Sequence, residues 1–245
     1  MKKPIQSLPQ PCLEQMQFSP CPCRDFLCPA GLCFEPDPAL GEGYYWYYER
    51  PGMFAVSVMD LRPKIDYLLE YQQTDFISLN YYDTISAEEL SPYRRLSANC
   101  IRGHVSNGEL FRARYHKNMP LRGTELMLLP GFYHDYLEAR YPGEFPDPKN
   151  AFLSVDGSKD FPALVLLLKQ IGKFQGSGVA ADLYFESKIA EAVSLIIERT
   201  KTTAPAAVQR EISQHAGRFA ALFRKNTGLF PDEYRTLMRK NCANP

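Results

Sequence analysis

The chain has 245 residues, of which 45% are hydrophobic, 13% aromatic and 23% charged, and its formal net charge at pH 7 is zero. This composition is too rich in core-forming side chains for a disordered chain, and the length suits one large domain or two modest ones. The longest apolar run, Phe161 to Leu168, is far shorter than a membrane span and contains Pro162. The N-terminus has two lysines but lacks the apolar core of a signal peptide. We therefore expect a cytoplasmic protein that does not associate with a membrane.

The zero net charge conceals an uneven distribution of charge along the chain. From Arg199 to the C-terminus, nine basic residues stand against three acidic ones, so this segment carries +6 and the preceding 198 residues carry −6. A basic segment on an acidic body is typical of a chain in which one part approaches nucleic acid. The asymmetry indicates two separate roles.

The first half of the chain divides into an arm and a strand-rich region. Residues 1–50 are rich in Pro and Cys without a hydrophobic period, which predicts an irregular arm, docked on the body or on a partner by the aromatic cluster Tyr44 to Tyr48. Asn107-Gly108 in the second region is a strong hairpin turn signal. The strands predicted there are Phe54–Val58, Phe76–Tyr82, Cys100–Val105, Glu109–Tyr115 and Thr124–Leu129. Several short strands in series favour a small antiparallel sheet or barrel.

After Pro148 the hydrophobic period becomes helical. Asp160 is suited to cap a first helix that has Pro162 in its first turn, and Gly176 and Gly178 are expected to end it. A second helix is expected from about Ala180 to Thr200. The positions predicted to face inward are Phe161, Leu164, Val165, Leu168 and Ile171 in the first helix, and Leu183, Ile189, Ala190, Val193, Ile196 and Ile197 in the second. The two helices are expected to form an antiparallel hairpin that covers the sheet, and a dimer interface on this hairpin is an alternative that stays open.

The most specific motif lies within Gly217–Arg235, where an aromatic stripe and a basic pair precede a Thr-Gly turn and a Glu-Tyr-Arg segment. The matching positions are Phe219, Phe223, Arg224, Lys225, Gly228, Pro231, Glu233, Tyr234 and Arg235. At this spacing the stretch resembles the end of the DNA-binding domain of AraC/XylS-type transcription regulators. Leu183–Ile189 is similar to the helix that joins the sensor and DNA-binding domains in such regulators.

The resemblance implies a helix-turn-helix whose recognition helix runs from about His215 to Lys225. A helix start enters the major groove, and basic side chains bind phosphates. The implied DNA-binding residues are Gln214, His215 and Arg218 toward base edges, and Arg224, Lys225 and Arg235 on or near phosphates. The implied partners are double-stranded DNA, a small-molecule effector and a second copy of the chain in a homodimer.

The resemblance also implies a cupin-like sensor domain, whose inner face should hold the effector. Alternation along the strands suggests five polar residues for this pocket: Tyr81, His104, Arg112, Arg114 and Tyr133. We therefore expect an α+β fold, with a β-rich cupin-like sheet or barrel followed by a helical hairpin and a short all-α helix-turn-helix remnant. The expected domains are the arm at 1–50, the effector-binding domain at 51–150, the hairpin at 151–201 and a partial DNA-binding domain at 206–241.

The DNA-binding part is shorter than the family pattern. AraC/XylS-type regulators carry two helix-turn-helix units joined by a long helix, whereas only a dozen residues separate the helix ending near Thr200 from the motif starting near Ser213. The favoured function is an effector-sensing transcription regulator with a shortened DNA-binding domain. The alternative is a stand-alone ligand-binding or dimerisation module that modulates full-length relatives without binding DNA.

The cysteines and histidines bear on a further functional class. Seven Cys without an export signal argue against a disulfide framework. Five of them lie near the N-terminus, at Cys12, Cys21, Cys23, Cys28 and Cys33. Their spacing permits zinc, but Cys-x-Cys strains that geometry, so unligated thiols are favoured and a thiol or zinc sensor is a third option. The four His are scattered, and no nucleophile–base set, Walker loop or dinucleotide fingerprint occurs, so we expect no catalysis, no metal and no cofactor.

Overall fold

The computed structural model describes residues 9–201. The chain divides into two compact units, Met1–Ile197 and Glu198–Pro245, and nearly all of the described residues belong to the first unit. The expected partial DNA-binding domain at 206–241 lies outside the described residues. In the described part, no helix is both long and apolar enough to cross a membrane.

Strands dominate the first unit, and helices flank them. The strands are β1 (Ser19–Cys21), β2 (Leu32–Glu35), β3 (Gly41–Arg50), β4 (Phe54–Pro63), β5 (Tyr67–Gln72), β6 (Asp75–Thr84), β7 (Ala87–Leu90), β8 (Tyr93–Arg95), β9 (Ile101–Asn107), β10 (Leu110–Tyr115) and β11 (Leu121–Leu128). The helices are α1 (Gln10–Gln15), a π-helix (Gly131–Tyr136) that continues into α2 (Leu137–Arg140), α3 (Pro148–Ser154), α4 (Pro162–Ile171) and α5 (179–201). The expected α+β fold class, with strands first and helices after them, is confirmed.

The strands form two antiparallel sheets. The seven-stranded sheet has the order β1-β2-β3-β4-β11-β6-β9, and the four-stranded sheet has the order β5-β10-β7-β8. Each predicted strand is present, because β4, β6, β9, β10 and β11 contain or nearly match the predicted ranges. The longest strands occupy the middle of the large sheet, where β11 pairs with β4 on one side and β6 on the other.

The seven-stranded sheet is buried on both faces. Successive side chains of a strand point to opposite faces. On β3, Trp46 packs on Phe185 of α5 with ring centroids 5.8 Å apart, whereas Tyr45 and Tyr47 line the space between the two sheets. The hydrophobic core on the helical face includes Trp46, Phe54, Ile77, Leu79, Leu126 and Leu128 from the sheet and Leu164, Leu167, Leu168, Phe185 and Ile189 from the helices. The large sheet therefore has a helical face and an inner face, and the inner face borders a cavity.

Much of the segment at 1–50 is regular structure, and the expectation of an irregular arm is wrong for it. It contains α1, β1, β2 and the ten-residue strand β3, which pairs with β4 from Gly41 opposite Pro63 to Arg50 opposite Phe54. The aromatic cluster at 44–48 therefore joins the sheet through its main chain. The pattern concealed this strand because β3 is covered on both faces, and such strands lack polar–apolar alternation.

The Asn107-Gly108 turn does not close a hairpin between its flanking strands. Gly108 has the positive φ of +85° that such a turn requires. However, β9 pairs with β6 in the large sheet, whereas β10 pairs with β5 and β7 in the small one. The turn therefore carries the chain from one sheet to the other. A local turn signal predicts the reversal of direction, while the partner of each strand depends on packing between the sheets.

Both predicted helices are present, with different ends. Phe161, and not Asp160, is the N-cap residue of α4, and the helix ends at Ile171 before Gly172, short of Gly176. In α5, Ile189, Val193 and Ile196 are buried as expected. Leu183 is 63% exposed and Ala190 is also exposed, so these two inward assignments are wrong. Ala181 and Phe185 occupy the buried face instead, because the helix is rotated relative to the predicted stripe.

The two helices contact each other near the end of α4. The hydroxyl of Tyr184 donates to the main-chain oxygen of Gln170 at 3.1 Å, and Nζ of Lys188 donates to its Oε1 at 2.9 Å. The ring of Tyr184 stacks on Phe174 in the connecting segment, with centroids 3.9 Å apart. These contacts, together with the shared core, attach α5 to the body of the first unit.

Candidate functional site

A cavity of about 210 Å³ lies between the two sheets. Its walls come from the inner faces of β3, β4, β6, β9 and β11 in the large sheet and of β5, β7 and β10 in the small one, with α1 contributing a further wall. The polar residues among the lining are Gln72, Gln73, Thr74, Asn80, Glu89, Arg102, His104 and Glu125, together with the tyrosines Tyr45, Tyr47, Tyr71, Tyr82 and Tyr115. An enclosed space with a few convergent polar groups is the usual form of a small-molecule site.

The carboxylate of Glu125 lies on the inner face of the central strand β11. Its cross-strand neighbours are Ser57 on β4 and Asn80 on β6, so three adjacent strands form a polar row. The Ser57 hydroxyl donates to Oε2 of Glu125 at 3.4 Å. Burial raises the pKa of Glu125, and hydrogen bonds from Ser78, Asn80 and Ser57 only partly oppose this rise. The site therefore holds a desolvated carboxyl group that accepts hydrogen bonds from neutral neighbours.

Four tyrosines lie within electrostatic reach of Glu125. They are Tyr45 and Tyr47 on β3, Tyr71 on β5 and Tyr82 on β6. Burial raises the pKa of every one of these hydroxyls, and the negative charge of Glu125 contributes to the rise. The tyrosines therefore remain neutral at physiological pH, and all four line the cavity.

A second polar cluster is centred on Arg102 of β9, which is only 8% exposed. Nη2 of Arg102 donates to both carboxylate oxygens of Glu89, at 2.7 and 3.0 Å, and Nη1 donates to Oδ1 of Asp156 at 3.1 Å. Arg94 holds the other oxygen of Asp156 at 2.6 Å. Burial acts to raise the pKa of Asp156, but the hydrogen bond and charge of Arg94 and the charge of Arg102 outweigh it and hold this pKa below its ordinary value. This network ties the large sheet to β7 and to the segment between α3 and α4.

His104 connects this network to the cavity. Its Nε2 lies 3.2 Å from Oε1 of Gln73, and its Nδ1 lies 3.5 Å from Nη2 of Arg102. Burial lowers the pKa of His104, and the adjacent Arg102 charge lowers it further. The imidazole is therefore neutral at pH 7 and offers one donor and one acceptor.

Helix α1 forms the remaining wall of the cavity. Oε1 of Gln15 accepts from the main-chain nitrogen of Glu70 at 2.9 Å, and Nε2 of Gln15 donates to the main-chain oxygen of the same residue. These bonds occupy the free edge of β5. Cys12, on the same helix, lines the cavity, and burial together with the Glu125 charge raises its pKa to about 12.

Of the five effector-binding residues predicted from sequence, one lines the cavity and four do not. His104 lines the cavity. Arg112 and Arg114 point away from it on the exposed face of β10, where Arg112 pairs with Glu70 at 2.6 Å. The apolar face of β10, through Phe111 and Tyr115, lines the cavity instead.

Tyr81 and Tyr133 are buried outside the cavity lining. The hydroxyl of Tyr81 donates to Oδ1 of Asn99 at 3.2 Å, and the ring belongs to the core on the helical face. The hydroxyl of Tyr133, on the π-helix, donates to Oδ1 of Asp75 at 2.8 Å. A shift of one position along β6 would have named Asn80 or Tyr82, because neighbouring residues of a strand face opposite sides.

Sequence reasoning also missed Glu125 and Arg102. Glu125 stands between Thr124 and Leu126 on β11, on the same face of the strand as Leu121 and Met127. The sequence signal that could have identified it is a carboxylate on the same strand face as the apolar Leu121 and Met127. Charged side chains rarely face a buried space unless they have a partner or a function.

The remaining predictions concern the DNA-binding residues, the cysteines and a metal site. The DNA-binding candidates Gln214, His215, Arg218, Arg224, Lys225 and Arg235 lie outside the described residues. Cys21 lies opposite Cys33 in the pairing of β1 with β2, and both thiols are free. Within residues 9–201, no group of three or more His, Cys, Asp or Glu side chains is arranged to hold a metal ion.

No family model matches the chain, and no curated protein matches it significantly. Similar solved structures include the AraC-like transcriptional activator CuxR, at 12% identity, with 84% of this chain and 74% of that chain covered and a TM-score of 0.39. The cupin domain of Schizosaccharomyces pombe Cnp3 is 12% identical over 39% of this chain and 69% of that chain, with a TM-score of 0.29. A predicted oxalate decarboxylase from Thermotoga maritima is 10% identical over 44% of this chain and 99% of that chain, with a TM-score of 0.28. The expected lack of catalysis stays a prediction.

Proposed function

We propose that the chain is an AraC-like transcription regulator, in which the cavity between the two sheets binds a small-molecule effector and the C-terminal segment binds double-stranded DNA. Effector binding would change the balance between two arrangements of the C-terminal segments in a homodimer. The mechanism requires an effector that binds one arrangement more tightly than the other.

The observation that carries this proposal is the combination of an enclosed polar cavity with the motif at 217–235 in one chain. The cavity has the form of a ligand site. Helix α5, whose Phe185 packs on the outer face of the cavity-bearing sheet, precedes the motif in the sequence. A sensor and a DNA-binding segment therefore stand in the order that the family resemblance implies.

Fluorescence anisotropy tests DNA binding, using a duplex from the gene's own upstream region and a scrambled duplex at low and high salt. We expect tighter binding to the native duplex and weaker binding to both at high salt, because Lys and Arg contacts to phosphate release counterions. The double variant Arg218→Ala/Arg224→Ala should lose this binding. The variant Arg62→Ala/Arg122→Ala removes the same charge from exposed positions of the first unit and should retain it.

The alternative function, a module without DNA binding, is favoured by the short separation between Thr200 and Ser213. A partial domain has fewer phosphate contacts. In this case neither duplex binds at low salt, and the chain associates with a full-length relative instead. Co-purification of the two chains from the same cells, followed by a decrease in the relative's DNA affinity, would identify this function.

Homodimer formation through the helical hairpin is part of the proposal. Leu166 of α4 and Val179 and Leu183 of α5 are exposed apolar side chains on this hairpin, with exposures of 59 to 72%. Sedimentation velocity of the full chain should therefore show a dimer. Leu183→Glu should shift the population to monomer while leaving the thermal midpoint within a few degrees, and an unchanged dimer would place the interface elsewhere.

A further inference from the structure

The charge of Glu125 has no counter-charge within the described residues. Its cross-strand neighbours Ser57 and Asn80 are neutral, and no lysine or arginine contributes to its electrostatic surroundings. Arg102, the cation that lines the same cavity, is bound to Glu89 at 2.7 Å and to Asp156 at 3.1 Å. A buried carboxylate without a cation is energetically costly, so the group either keeps its proton or acquires a positive partner.

Aromatic rings supply the rest of the surroundings that a cation needs. Tyr45, Tyr47, Tyr71 and Tyr82 line the same cavity as Glu125. Tyr47 lies opposite Ser57, which itself lies opposite Glu125, and Tyr82 is two residues from Asn80, the neighbour of Glu125 on β6. The rings come from both sheets, since Tyr71 belongs to the small sheet and the others to the large one. The face of an aromatic ring carries partial negative charge and attracts an ammonium group within about 6 Å of its centroid. A carboxylate between such rings is suited to an alkylated ammonium group.

The volume limits the size of such a ligand. The cavity measures about 210 Å³. An apolar cavity of about 150 Å³ holds benzene, so this space suits a molecule of roughly seven to ten non-hydrogen atoms. Choline and tetramethylammonium fall within this range or below it, whereas a nucleotide does not.

We propose that the effector is a small organic cation, an amine or alkylated ammonium compound, whose charge pairs with Glu125 and whose alkyl surface lies against the tyrosine rings. This inference rests on the proposed function, since it names the chemical class of the effector for the same cavity. The proposal excludes anionic effectors, because the carboxylate repels them. It also predicts that a cation binds more tightly than a neutral polyol, because a polyol gains hydrogen bonds but no ion pair.

Isothermal titration calorimetry with the full chain at about pH 8 tests the proposal. The probes are choline, tetramethylammonium and 1,4-diaminobutane, with 3,3-dimethylbutan-1-ol as the uncharged analogue of choline and erythritol as a neutral polyol that fits the volume. We expect at least one cation to bind about tenfold or more tightly than 3,3-dimethylbutan-1-ol, because only the cation gains the carboxylate and the ring faces.

Two pairs of variants separate the roles of charge and ring. Glu125→Gln keeps the shape and hydrogen-bonding capacity of the side chain and should weaken cation binding about tenfold or more, without affecting the uncharged analogue. The matched control Glu70→Gln removes a charge from the exposed pair with Arg112 and should leave binding unchanged. Tyr82→Phe should retain cation binding within about threefold, whereas Tyr82→Leu should lose it, because the ring face provides the attraction.

Several results overturn the proposal. Equal affinities for choline and its uncharged analogue, tight binding of erythritol alone, or no measurable binding of any of the three cations at about 10 mM would each contradict a cationic effector. These measurements contain no DNA, so they are read independently of the anisotropy experiment. If the chain binds choline but no duplex, the proposed ligand class stands and the proposed regulator function is wrong. If it binds the native duplex but none of the cations, the regulator function stands and the ligand class is wrong.

Discussion

Replacement of Arg102 by Met tests how strongly its buried ion pairs attach the seven-stranded sheet to β7 and to the segment between α3 and α4. The substitution keeps an unbranched side chain of similar length and removes the guanidinium that joins β9 to Glu89 of β7 and to Asp156. Glu89, whose side chain is 13% exposed, would then remain nearly buried without its cation. Asp156 would keep its contact with Arg94 at 2.6 Å. The perturbation therefore leaves Glu89 without its hydrogen-bonded cation, and only the more distant charge of Arg94, its cross-strand neighbour on β8, remains.

The expected cost follows from this arrangement. Removal of one partner from a buried ion pair lowers the free energy of unfolding by about 3–5 kcal/mol. The lower limit applies here, because Arg94 continues to neutralise Asp156. At about 2–4 °C of thermal midpoint per kcal/mol for a protein of this size, Arg102→Met should lower the midpoint by about 6–12 °C.

Urea denaturation followed by the fluorescence of Trp46 measures this cost, since Trp46 is the single tryptophan and is 1% exposed in the folded chain. The control is Arg112→Met, which breaks an equally short pair of 2.6 Å with Glu70 on the exposed face of β10, where both side chains are more than 40% exposed. An exposed pair contributes less than about 1 kcal/mol. If Arg102→Met costs no more than Arg112→Met, burial does not determine the strength of this network and the reasoning is refuted.

Three further predictions concern the cavity and the helical face. Burial raises the pKa of Glu125 above its ordinary value, so the folded chain binds this proton more tightly and loses stability as pH rises through the raised pKa. In chemical denaturation, Glu125→Gln should therefore be more stable than the wild type at about pH 8 but not at about pH 4. An equal difference in stability at both pH values would contradict this expectation. With a pKa of about 12, Cys12 is about one part in ten thousand thiolate at pH 8, so mass spectrometry should show slow alkylation by iodoacetamide. Gln15→Ala should accelerate this alkylation, because it releases α1 from β5. Rapid labelling of the wild type would refute the raised pKa of this thiol. Phe185→Ala should lower the free energy of unfolding by about 3–5 kcal/mol, because this fully buried ring packs on Trp46. Ser194→Ala, at an exposed position of the same helix outside the proposed dimer interface, should change it by less than about 0.5 kcal/mol, and similar urea midpoints for the two variants would place α5 differently.

Local sequence was sufficient to predict five of the eleven strands and the two longest helices of the described residues. Period-two alternation and β-branched or aromatic residues identified β4, β6 and β11, and the helical period identified α4 and α5. These signals work because each element has to bury one face at its own period. They fail at β3, whose two faces are both covered, and at the outward-facing Leu183 of α5.

The candidate site depended on contacts that the sequence does not encode locally. His104 was identified because a polar side chain stood in a predicted strand, but the same rule also selected Tyr81, which faces the opposite side of its sheet. Glu125 acquires its properties from burial between the sheets and from the hydroxyl of Ser57, which lies 68 residues away in the chain. No local pattern contains such neighbours.

By itself, the sequence determined where strands and helices form and identified the basic motif near the C-terminus. Only the tertiary structure decided that Asn107-Gly108 carries the chain between two sheets, and that the space between these sheets encloses an unpaired carboxylate among tyrosine rings. The physical reason is that turn chemistry and periodicity act over a few residues. The choice of strand partner, and with it the burial and charge of a side chain, is set by the packing of whole sheets.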